Sequence, residues 1–501
     1  MRRGSGQEFA HMNDMRRPGR ARVAAGACPA IVLVVLTAGC QSYEGSPLDI
    51  PGHRGALAAR LGEPEPLAAF ASRLGEQGQE APTAFDPGDG LTRAEGELVA
   101  LFYNAELRMA RLDAGVALAT LVTAGLWEDP EVGFDGAQIL SPESMFQYGL
   151  VLGLTIPVSG RLEVERARAG AEHEAALRRI VDDEWSTRAR LRSAWAAWSV
   201  AGERARLLEL VIVQVERIGA ITGRLESVGE LTRVEGRLLR IELAQRRGEL
   251  VAARLAATRS RLELLGLMGL PPDAAIELVP AISMAVVGEH ADPTARLIES
   301  STTLAVRRAE YQAAEEGLRL EVRKQYPDLT IGGGYGDEDD DRLLLGASIP
   351  IPILNANGAG IAEARARRDA ARGAAETTFE RLARELAMAT AALEGSLAQR
   401  DAFESEIVPM LEEQSQELER LAEVGEVDTL LLLETVSRGF EARSRLLDLR
   451  LAEVVASVDL ARLLGPGEPR SPAPVDVSVS GARRVESGSR HGADAAPGGD
   501  R

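Results

Sequence analysis

The sequence predicts a duplicated chain of long α-helices with two pairs of short β-strands, in a fold class that joins helices to a membrane β-barrel. Three observations predict this class. Landmark segments recur in the same order along the chain, as they do after an internal duplication. Long proline-free stretches carry apolar residues every three or four positions, the spacing of antiparallel coiled-coil hairpins. Between the helices lie short runs whose lengths suit tilted membrane strands.

Composition favours long helices and argues against a nucleic-acid partner. The chain has 501 residues, of which 45% are hydrophobic and only 4% are aromatic. Few aromatic side chains, together with many Ala, Leu, Arg and Glu residues, favour helices that pack through small residues. The formal net charge is −19, whereas phosphate binding requires a basic face. We therefore expect no nucleic acid among the partners.

The N-terminal segment has the pattern of an export signal that ends at a cysteine. Residues 15–40 combine a basic start, a short apolar run and small residues directly before Cys40. The apolar run is too short to span a bilayer comfortably, which favours a signal peptide. The end at Cys40 resembles a bacterial lipobox, with Thr37 in place of the usual Leu, and implies lipid attachment to Cys40. A plain secretory signal with a chance cysteine and an uncleaved anchor remain alternatives.

Cysteine usage limits the chemistry of the remaining chain. The two cysteines, Cys28 and Cys40, both belong to the N-terminal segment. The sequence after Cys40 therefore contains no disulfide framework and no metal site with cysteine ligands.

Four landmarks define two repeat units. They match at offsets between 193 and 199 residues, in the same order: Pro130 with Pro327, 152–157 with 345–350, 228–230 with 424–426, and 264–266 with 463–465. A nearly constant offset is what a duplication leaves. The expected organisation is a signal peptide at 1–39, a lipidated N-terminal segment at 40–90, repeat units at 91–290 and 291–466, and a disordered Gly/Pro/Ser-rich tail at 467–501.

Each unit opens with a predicted helix, at 91–126 and 292–325, for which Asp89 and Asp292 are the expected N-caps. Two short strand-like runs follow in each unit, separated by turn-forming residues. Their lengths suit tilted strands of a membrane barrel, and solvent-exposed hairpins are the alternative. The four predicted strands cover 131–140, 145–158, 328–336 and 342–353.

A very long helical hairpin follows each strand pair. No proline interrupts the chain between Pro157 and Pro271, and apolar residues in 161–226 follow a repeat close to 3.5. The second unit is expected to kink at Pro409 and to reverse at Gly425. The three tryptophans of the first hairpin have helical spacing, which favours core packing over a ligand cage: Trp185, Trp195 and Trp198.

The residues resemble the TolC-like outer-membrane efflux protein family, in its lipid-anchored branch. The resemblance covers about 91–466, and its best segments are 326–336, 348–366 and 407–436. It implies a homotrimer in which each chain gives four strands to a 12-stranded barrel, while the helices form an α-helical tunnel across the periplasm. The chain departs from the family at two positions where an Asn-Pro pair is usual, because it has Asn104-Ala105 and Ser301-Thr302.

The resemblance also implies which residues act. The two hairpin tips correspond to the end that docks an adaptor, although they could be simple turns: Val228, Gly229 and Glu230, and Val424, Gly425 and Glu426. Glu434 corresponds to an acid that lines the closed periplasmic aperture, where three copies would form a carboxylate ring. Leu431 stands where a second acid is common, so the constriction is expected to be partly hydrophobic. An ordinary solvated helix position is the alternative for Glu434.

No arrangement of residues predicts an enzyme. The five histidines are scattered without metal-ligand spacing, and no catalytic triad order or phosphate loop is present. We expect no cofactor and no catalytic or metal residue. The expected function is the outer-membrane channel of an efflux system for small toxic compounds or metal ions, with a periplasmic adaptor (membrane fusion) protein, an inner-membrane pump and outer-membrane lipid as partners. The alternatives are a duct for type I polypeptide secretion and, in a different class, a periplasmic coiled-coil adaptor or scaffold.

Overall fold

The computed structural model describes eight stretches of the chain: 42–62, 65–76, 88–138, 146–229, 232–282, 291–338, 340–423 and 428–466. The predicted signal peptide 1–39, the predicted lipidation site and the tail 467–501 lie outside the described residues. So do Cys40 and four of the predicted tip residues, Glu230, Val424, Gly425 and Glu426.

The chain divides into two compact units, Met1–Ala56 and Leu57–Arg501. In the first unit the described residues are exposed, and the carboxylate of Asp49 accepts a hydrogen bond of 2.8 Å from the N–H of Gly52 at the start of helix α1, Ile50–Ala58. The second unit holds all the other elements. None of the described helices is both long and apolar enough to cross a membrane.

The described residues between 65 and 267 form five helices and two strands, of which the first helix precedes the first repeat unit. In chain order they are α2 (Glu65–Glu76), α3 (Arg93–Tyr103), α4 (Ala105–Thr123), β1 (Glu131–Gln138), β2 (Phe146–Ile156), α5 (Arg161–Val228) and α6 (Arg233–Leu267). Helix α5 has 68 residues and is therefore about 100 Å long at 1.5 Å per residue.

The second repeat unit has the same order of elements as α3 to α6 of the first. Its elements are α7 (Pro293–Ser300), α8 (Thr302–Arg323), β3 (Leu329–Glu338), β4 (Asp340–Ser348), α9 (Gly358–Ala402), a π-turn (Phe403–Ile407), α10 (Val408–Glu423) and α11 (Thr429–Leu464). The π-turn stands directly before Pro409, where the sequence predicts a kink. Proline has no N–H, so Pro409 cannot donate the regular helical hydrogen bond. The N–H of Val408, the residue before it, bonds to the carbonyl of Phe403, five residues back, and this is the hydrogen bond of a π-turn.

Each predicted opening helix is broken in two by a capping residue. The side-chain oxygen of Asn104 accepts hydrogen bonds from the N–H groups of Glu106 at 2.9 Å and Leu107 at 3.1 Å, where α4 begins. Ser301 caps α8 in the same way through the N–H of Leu304. These are the two positions at which the resembled family usually has Asn-Pro, so a cap replaces the proline as the start of the second helix.

The prediction that Asp89 caps the first helix is wrong. Helix α3 is capped by Thr92, whose hydroxyl oxygen accepts from the N–H of Glu95, while the Glu95 carboxylate accepts from the N–H of Thr92 at 2.9 Å. This reciprocal pair satisfies two N–H groups that the helix itself leaves unpaired, which a single aspartate further upstream does not. Asp292 caps α7 as predicted, through the N–H of Ala295 at 2.9 Å.

The four strands form one antiparallel sheet in the order β1-β2-β3-β4. The pairing of β2 with β3 joins the two repeat units, from Tyr148 opposite Asp337 to Ile156 opposite Leu329. The last strand ends at Ser348, five residues before the predicted end at 353. Pro350 and Pro352 explain the early end, because neither offers an N–H to a neighbouring strand.

The largest core cluster lies where α2, α3, α5 and α6 meet. Trp195 is fully buried there, and its indole N–H donates to the carbonyl of Val279 at 2.9 Å. Core packing therefore explains Trp195. Leu67 of α2 is also fully buried in this cluster, so part of the segment before residue 91 belongs to the folded core.

Candidate functional site

The two faces of the four-stranded sheet differ in chemistry. Side chains alternate along each strand, and paired residues share a face, so the register assigns every strand residue to one side. The apolar face carries large exposed side chains that include Val132, Phe134, Tyr148, Leu150, Leu152, Tyr335, Leu343 and Leu345. The opposite side, here called the glycine face, carries seven glycines: Gly133, Gly149, Gly153, Gly332, Gly334, Gly336 and Gly346.

Backbone conformation does not require these seven glycines. None of them has a positive φ. A Cβ at Gly346 would meet nothing within 4 Å, and at Gly149 it would meet only the Cβ of Asp135 at 3.8 Å. The three glycines that β3 contributes to this face are tighter, with 3.1 to 3.4 Å from an added Cβ to backbone oxygens of β2. Glycine destabilises the interior of a strand, so these residues do not contribute stability. Their effect is to leave open space above the backbone.

Two shallow cavities occupy the glycine face. One has a volume of about 360 Å³ and is bordered by Asp135, Gln147 and Arg342. The other, of about 500 Å³, is bordered by Glu131, Thr330 and Ser348, and the two cavities share the side chains of Val151 and Leu344 as a boundary. The face therefore presents charged and polar groups over a largely bare backbone.

An ion-pair network ties the sheet to the long helices. Arg161, the first residue of α5, contacts the carboxylates of Asp328 and Glu128, both at 2.6 Å. The N–H of Ser159 donates to Asp328 at 3.1 Å. Because these groups stand between β2, β3 and α5, the network fixes the direction in which the first long helix leaves the sheet.

In the second repeat unit, hydrogen bonds tie the start of the long helix α9 to α8. The side-chain amide of Asn357 donates to the carbonyl and the carboxylate of Glu321, at 2.9 and 2.8 Å. Hydrogen bonds from Lys324 and Asn357 lower the pKa of Glu321 below its usual range. Asn357 and Ala356 both have positive φ, at 52° and 46°, so this connection holds a backbone conformation that few residues adopt.

The first hairpin tip is described up to Gly229 and from Thr232. Gly229 has φ 85° and ends α5, and Val228 is exposed beside it. Helix α6 then starts at a capping box between Thr232 and Glu235. The backbone N–H and hydroxyl of Thr232, both donating to Glu235, lower the pKa of that carboxyl. The described residues on the two sides of the tip are thus a positive-φ glycine at the end of α5 and a capping box at the start of α6.

Glu434 and Leu431 both lie on α11 near the second tip, and both are exposed. The carboxylate of Glu434 contacts the guanidinium of Arg438 at 2.6 Å, one helical turn away. Leu431 follows the N-cap Asp428, whose carboxylate accepts from the N–H groups of Leu430 and Leu431, both at 3.0 Å. Sequence reasoning missed Arg438, although its spacing of four residues from Glu434 is the signal that could have found it.

The described residues hold no group of three or more His, Cys, Asp or Glu side chains that could bind a metal ion.

The second repeat unit matches a known family. Residues 295–466 match the family described as "Outer membrane efflux protein". The chain is also 23% identical over 317 residues to the cobalt-zinc-cadmium resistance protein CzcC of Cupriavidus metallidurans, a match that covers 63% of this chain and 76% of that protein. The second repeat unit is therefore similar to the outer membrane efflux protein family. The resemblance to outer-membrane efflux proteins seen in the sequence is thereby confirmed, and the lipid-anchored branch stays a prediction.

Solved structures of outer-membrane channels have the same fold. The outer-membrane channel OprN superposes with a TM-score of 0.66 at 18% identity, over 75% of this chain and 90% of that chain. CusC gives a TM-score of 0.65 at 18% identity, over 75% and 92%. The open state of the MtrE channel from Neisseria gonorrhoeae gives 0.64 at 18% identity, over 75% and 90%. Because each match extends well beyond 295–466, the efflux-protein fold includes both repeat units.

Replacing Gly229 by valine should strain the first tip. A β-branched residue tolerates positive φ poorly, and since a Cβ there would meet nothing within 4 Å, the cost would come from the backbone alone. We expect faster hydrogen exchange around 226–236 and impaired export, with the assembly retained. Gly223→Val is the matched control, because Gly223 also has open space but lies within α5 with no positive φ. Equal behaviour of the two variants would contradict a special role for the tip.

Proposed function

We propose that this chain is the outer-membrane channel subunit of a tripartite efflux system that exports small toxic compounds or metal ions. The observation that carries the proposal is a four-stranded sheet with two open edges and two chemically different faces. In a membrane, the unpaired N–H and C=O groups of an open edge cost several kcal/mol each, on the order of the penalty for any unsatisfied polar group in lipid. The sheet therefore needs other copies of itself.

A homotrimer meets this need. Pairing β4 of one copy with β1 of the next would remove both edges, and three copies would close a barrel of twelve strands around a lumen. Within one chain, β2 of the first unit already pairs with β3 of the second, and α5 packs against α8. The contact between copies would repeat this arrangement. There a strand of the second repeat unit, β4, would take the place of β2, and a strand of the first repeat unit, β1, would take the place of β3.

Exposure on the opening helices supports such an exchange. Val306 of α8 is only 8% exposed, because α8 packs within the chain, whereas its counterpart Met109 on α4 is 54% exposed. Leu112 and Val116 of α4 are exposed as well. A neighbouring copy would cover these apolar side chains of α4.

The difference between the two faces gives the sheet its orientation. Large apolar side chains belong against lipid in an outer-membrane strand, and polar groups belong in the lumen. The apolar face would thus contact lipid, and the glycine face would line the duct. With seven glycines, this wall would leave the lumen wide for hydrated solutes.

Metal ions are the favoured cargo because of the relative CzcC, whose name describes resistance to cobalt, zinc and cadmium. The cargo would pass through the duct as a substrate, so the chain needs no cofactor and no catalytic residue for this role. A periplasmic adaptor and an inner-membrane pump would supply selection and energy. The tips at Val228-Gly229-Glu230 and Val424-Gly425-Glu426 would dock the adaptor.

Lipid attachment to Cys40 would anchor the N-terminal segment in the outer membrane, as the small residues before Cys40 suggest. Cys40→Ser should abolish incorporation of a radioactive fatty acid, because the thiol is the attachment atom. Cys28→Ser is the matched control and should keep the label. Full labelling of the Cys40→Ser variant would show that the anchor is elsewhere.

Deleting the gene should test the function directly. We expect lower resistance to zinc, cobalt and cadmium, with more metal retained in the cell, and recovery when the intact chain is restored. Purified chain should have the mass of three protomers in detergent. Unchanged metal resistance with loss of a secreted polypeptide would favour the type I secretion duct instead. A stable monomer would contradict the channel.

We further propose that Glu434, Arg438 and Leu431 line the periplasmic constriction. Glu434 stands nine residues beyond Gly425 and five beyond Thr429, the first residue of α11, which is about 8 Å along the helix at 1.5 Å per residue. Three copies would there bring together three carboxylates, each already neutralised by Arg438 at 2.6 Å. A ring of such neutral ion pairs beside Leu431 would discriminate between cations and anions only when Glu434 or Arg438 is replaced.

Opposite substitutions in this pair should have opposite effects. Arg438→Gln would leave three unpaired carboxylates, so single-channel recordings in planar bilayers should show stronger cation preference and stronger block by Zn²⁺. Glu434→Gln should shift selectivity toward anions, and Leu431→Ser should raise conductance if Leu431 acts as a plug. Glu413→Gln, at an exposed acid on α10, is the control and should leave selectivity unchanged. Wild-type values in both pair variants would mean that Glu434 is an ordinary solvated residue.

A further inference from the structure

The connection between β4 and α9 exposes an apolar segment that no described part of the chain covers. We call residues Ile349–Leu354 the arm. All six residues of the arm are exposed; Ile351 is 72% exposed and Leu354 is 97% exposed. No charged residue occurs between Arg342 and Glu363, so the arm lies within a long uncharged stretch. Such a surface in contact with water alone carries a free-energy cost that scales with its apolar area.

The backbone of the arm suits an apolar environment. Pro350 and Pro352 have no N–H to leave unpaired, and the N–H of Ile353 donates to the carbonyl of Ile351 at 2.9 Å. The same local turn, from Val158 to Ile156, follows Pro157 in the first unit. Three of the six residues of the arm therefore have no unpaired N–H, and only Ile349, Ile351 and Leu354 need other acceptors. This lowers the free-energy cost of placing the segment in lipid.

The arm also continues the apolar face of the sheet. Leu343, Leu345 and Ala347 occupy this face in β4. Alternation along an extended backbone places Ile349 and Ile351 on the same side. The arm is therefore an extension of the surface that would contact lipid.

Length shows why β4 needs an extension. The apolar face of β2 runs through all 11 residues of the strand, from Phe146 to Ile156. At about 3.3 Å per residue and a tilt of about 40°, this spans roughly 25 Å of membrane, the height of the apolar band of outer-membrane proteins. From Leu343 to Ala347, β4 spans only about 10 Å by the same estimate.

The shortfall has to be made up beyond Ser348, because Asp341, the position before Leu343 in the register of the same face, is acidic. Continuing the face to Ile351, where the turn around Pro352 begins, lengthens the run to about 20 Å by the same estimate, close to that of β2. Two exposed aromatic residues, Trp127 and Tyr326, precede β1 and β3 at this end of the sheet. Aromatic side chains of this kind favour the membrane–water interface, which places the arm at that level.

We propose that the arm inserts into the periplasmic leaflet of the outer membrane, with phospholipid acyl chains as its partner. The proposal rests on the function proposed above, since it requires the sheet to lie in that membrane. The three isoleucines would complete the lipid-facing belt on the β4 side of each subunit, where the strand itself is too short. Asn357, held by Glu321 at the end of the connection, would fix the arm to the top of the helices.

Site-specific fluorescence in phospholipid vesicles tests the proposal with the full-length trimer. Ile351→Cys and Ile353→Cys would each be labelled with a small fluorophore and exposed to two quenchers, a phospholipid with a nitroxide close to the headgroup and aqueous iodide. Leu345→Cys and Leu344→Cys are the matched controls, because these adjacent residues of β4 are 84% and 60% exposed but point to the apolar and the glycine face, respectively. Unsubstituted protein gives the background.

Lipid contact should make nitroxide quenching of the two arm labels about threefold stronger than that of the Leu344 label, similar to the Leu345 label, because the arm would lie at the boundary of headgroups and acyl chains. Arm labels that respond to iodide, or to neither quencher, while the Leu345 label responds to the nitroxide, would overturn the arm proposal alone. A Leu345 label without nitroxide quenching would overturn the membrane sheet, and with it the proposed function.

Discussion

The pairing of β2 with β3 is the interaction on which the rest of the structure depends. It joins the two repeat units into one sheet, and side-chain contacts reinforce it at the end nearest the helices, where Arg161 meets Asp328 at 2.6 Å and Thr155 meets Thr330 at 3.3 Å. Because this pairing uses the inner strands, it leaves β1 and β4 as the edges. The backbone groups on those edges require hydrogen-bond partners, and the exposed apolar side chains of α4 require apolar contacts. One chain cannot supply either by itself.

Duplication supplies the topology, but the two long hairpins differ in their packing. Helix α5 runs without a break, whereas its counterpart is interrupted by the π-turn at Phe403–Ile407. Ion pairs hold α11 on both sides of that turn, from Arg400 with Glu453 at 2.7 Å to Glu412 with Arg443 at 2.9 Å. The π-turn inserts extra backbone into one partner only, so the antiparallel register shifts between these pairs while contact continues. The hairpin that carries Glu434 is therefore the irregular one of the two.

Long-period features were predictable from the sequence, and local competition between residues was not. The recurring landmarks, the proline-free stretches and the strand lengths follow from periodicity, which persists over many residues and averages out local exceptions. Asp89 was the wrong cap because Thr92 and Glu95 form a reciprocal pair that is stronger than one nearby aspartate. The last strand was predicted too long because apolar alternation continues through 349–353 although its prolines cannot pair. The neutral pair of Glu434 with Arg438 was missed because the resemblance directed attention to the acid alone.

The glycines of the glycine face lower the stability of the strands and leave the surface above them empty. Each glycine in a strand costs about 0.5–1 kcal/mol relative to a residue with a side chain, and Gly346 and Gly149 have room for one. A soluble sheet would fill such a face with packed side chains from a second layer, but here helices leave the sheet at its end and no described element covers the face. The apolar face keeps its large side chains and carries two glycines, Gly136 and Gly333, so most of the loss of side chains is on one side of the same strands. That one-sidedness is what a wall needs when lipid lies on one side of it and a passage on the other.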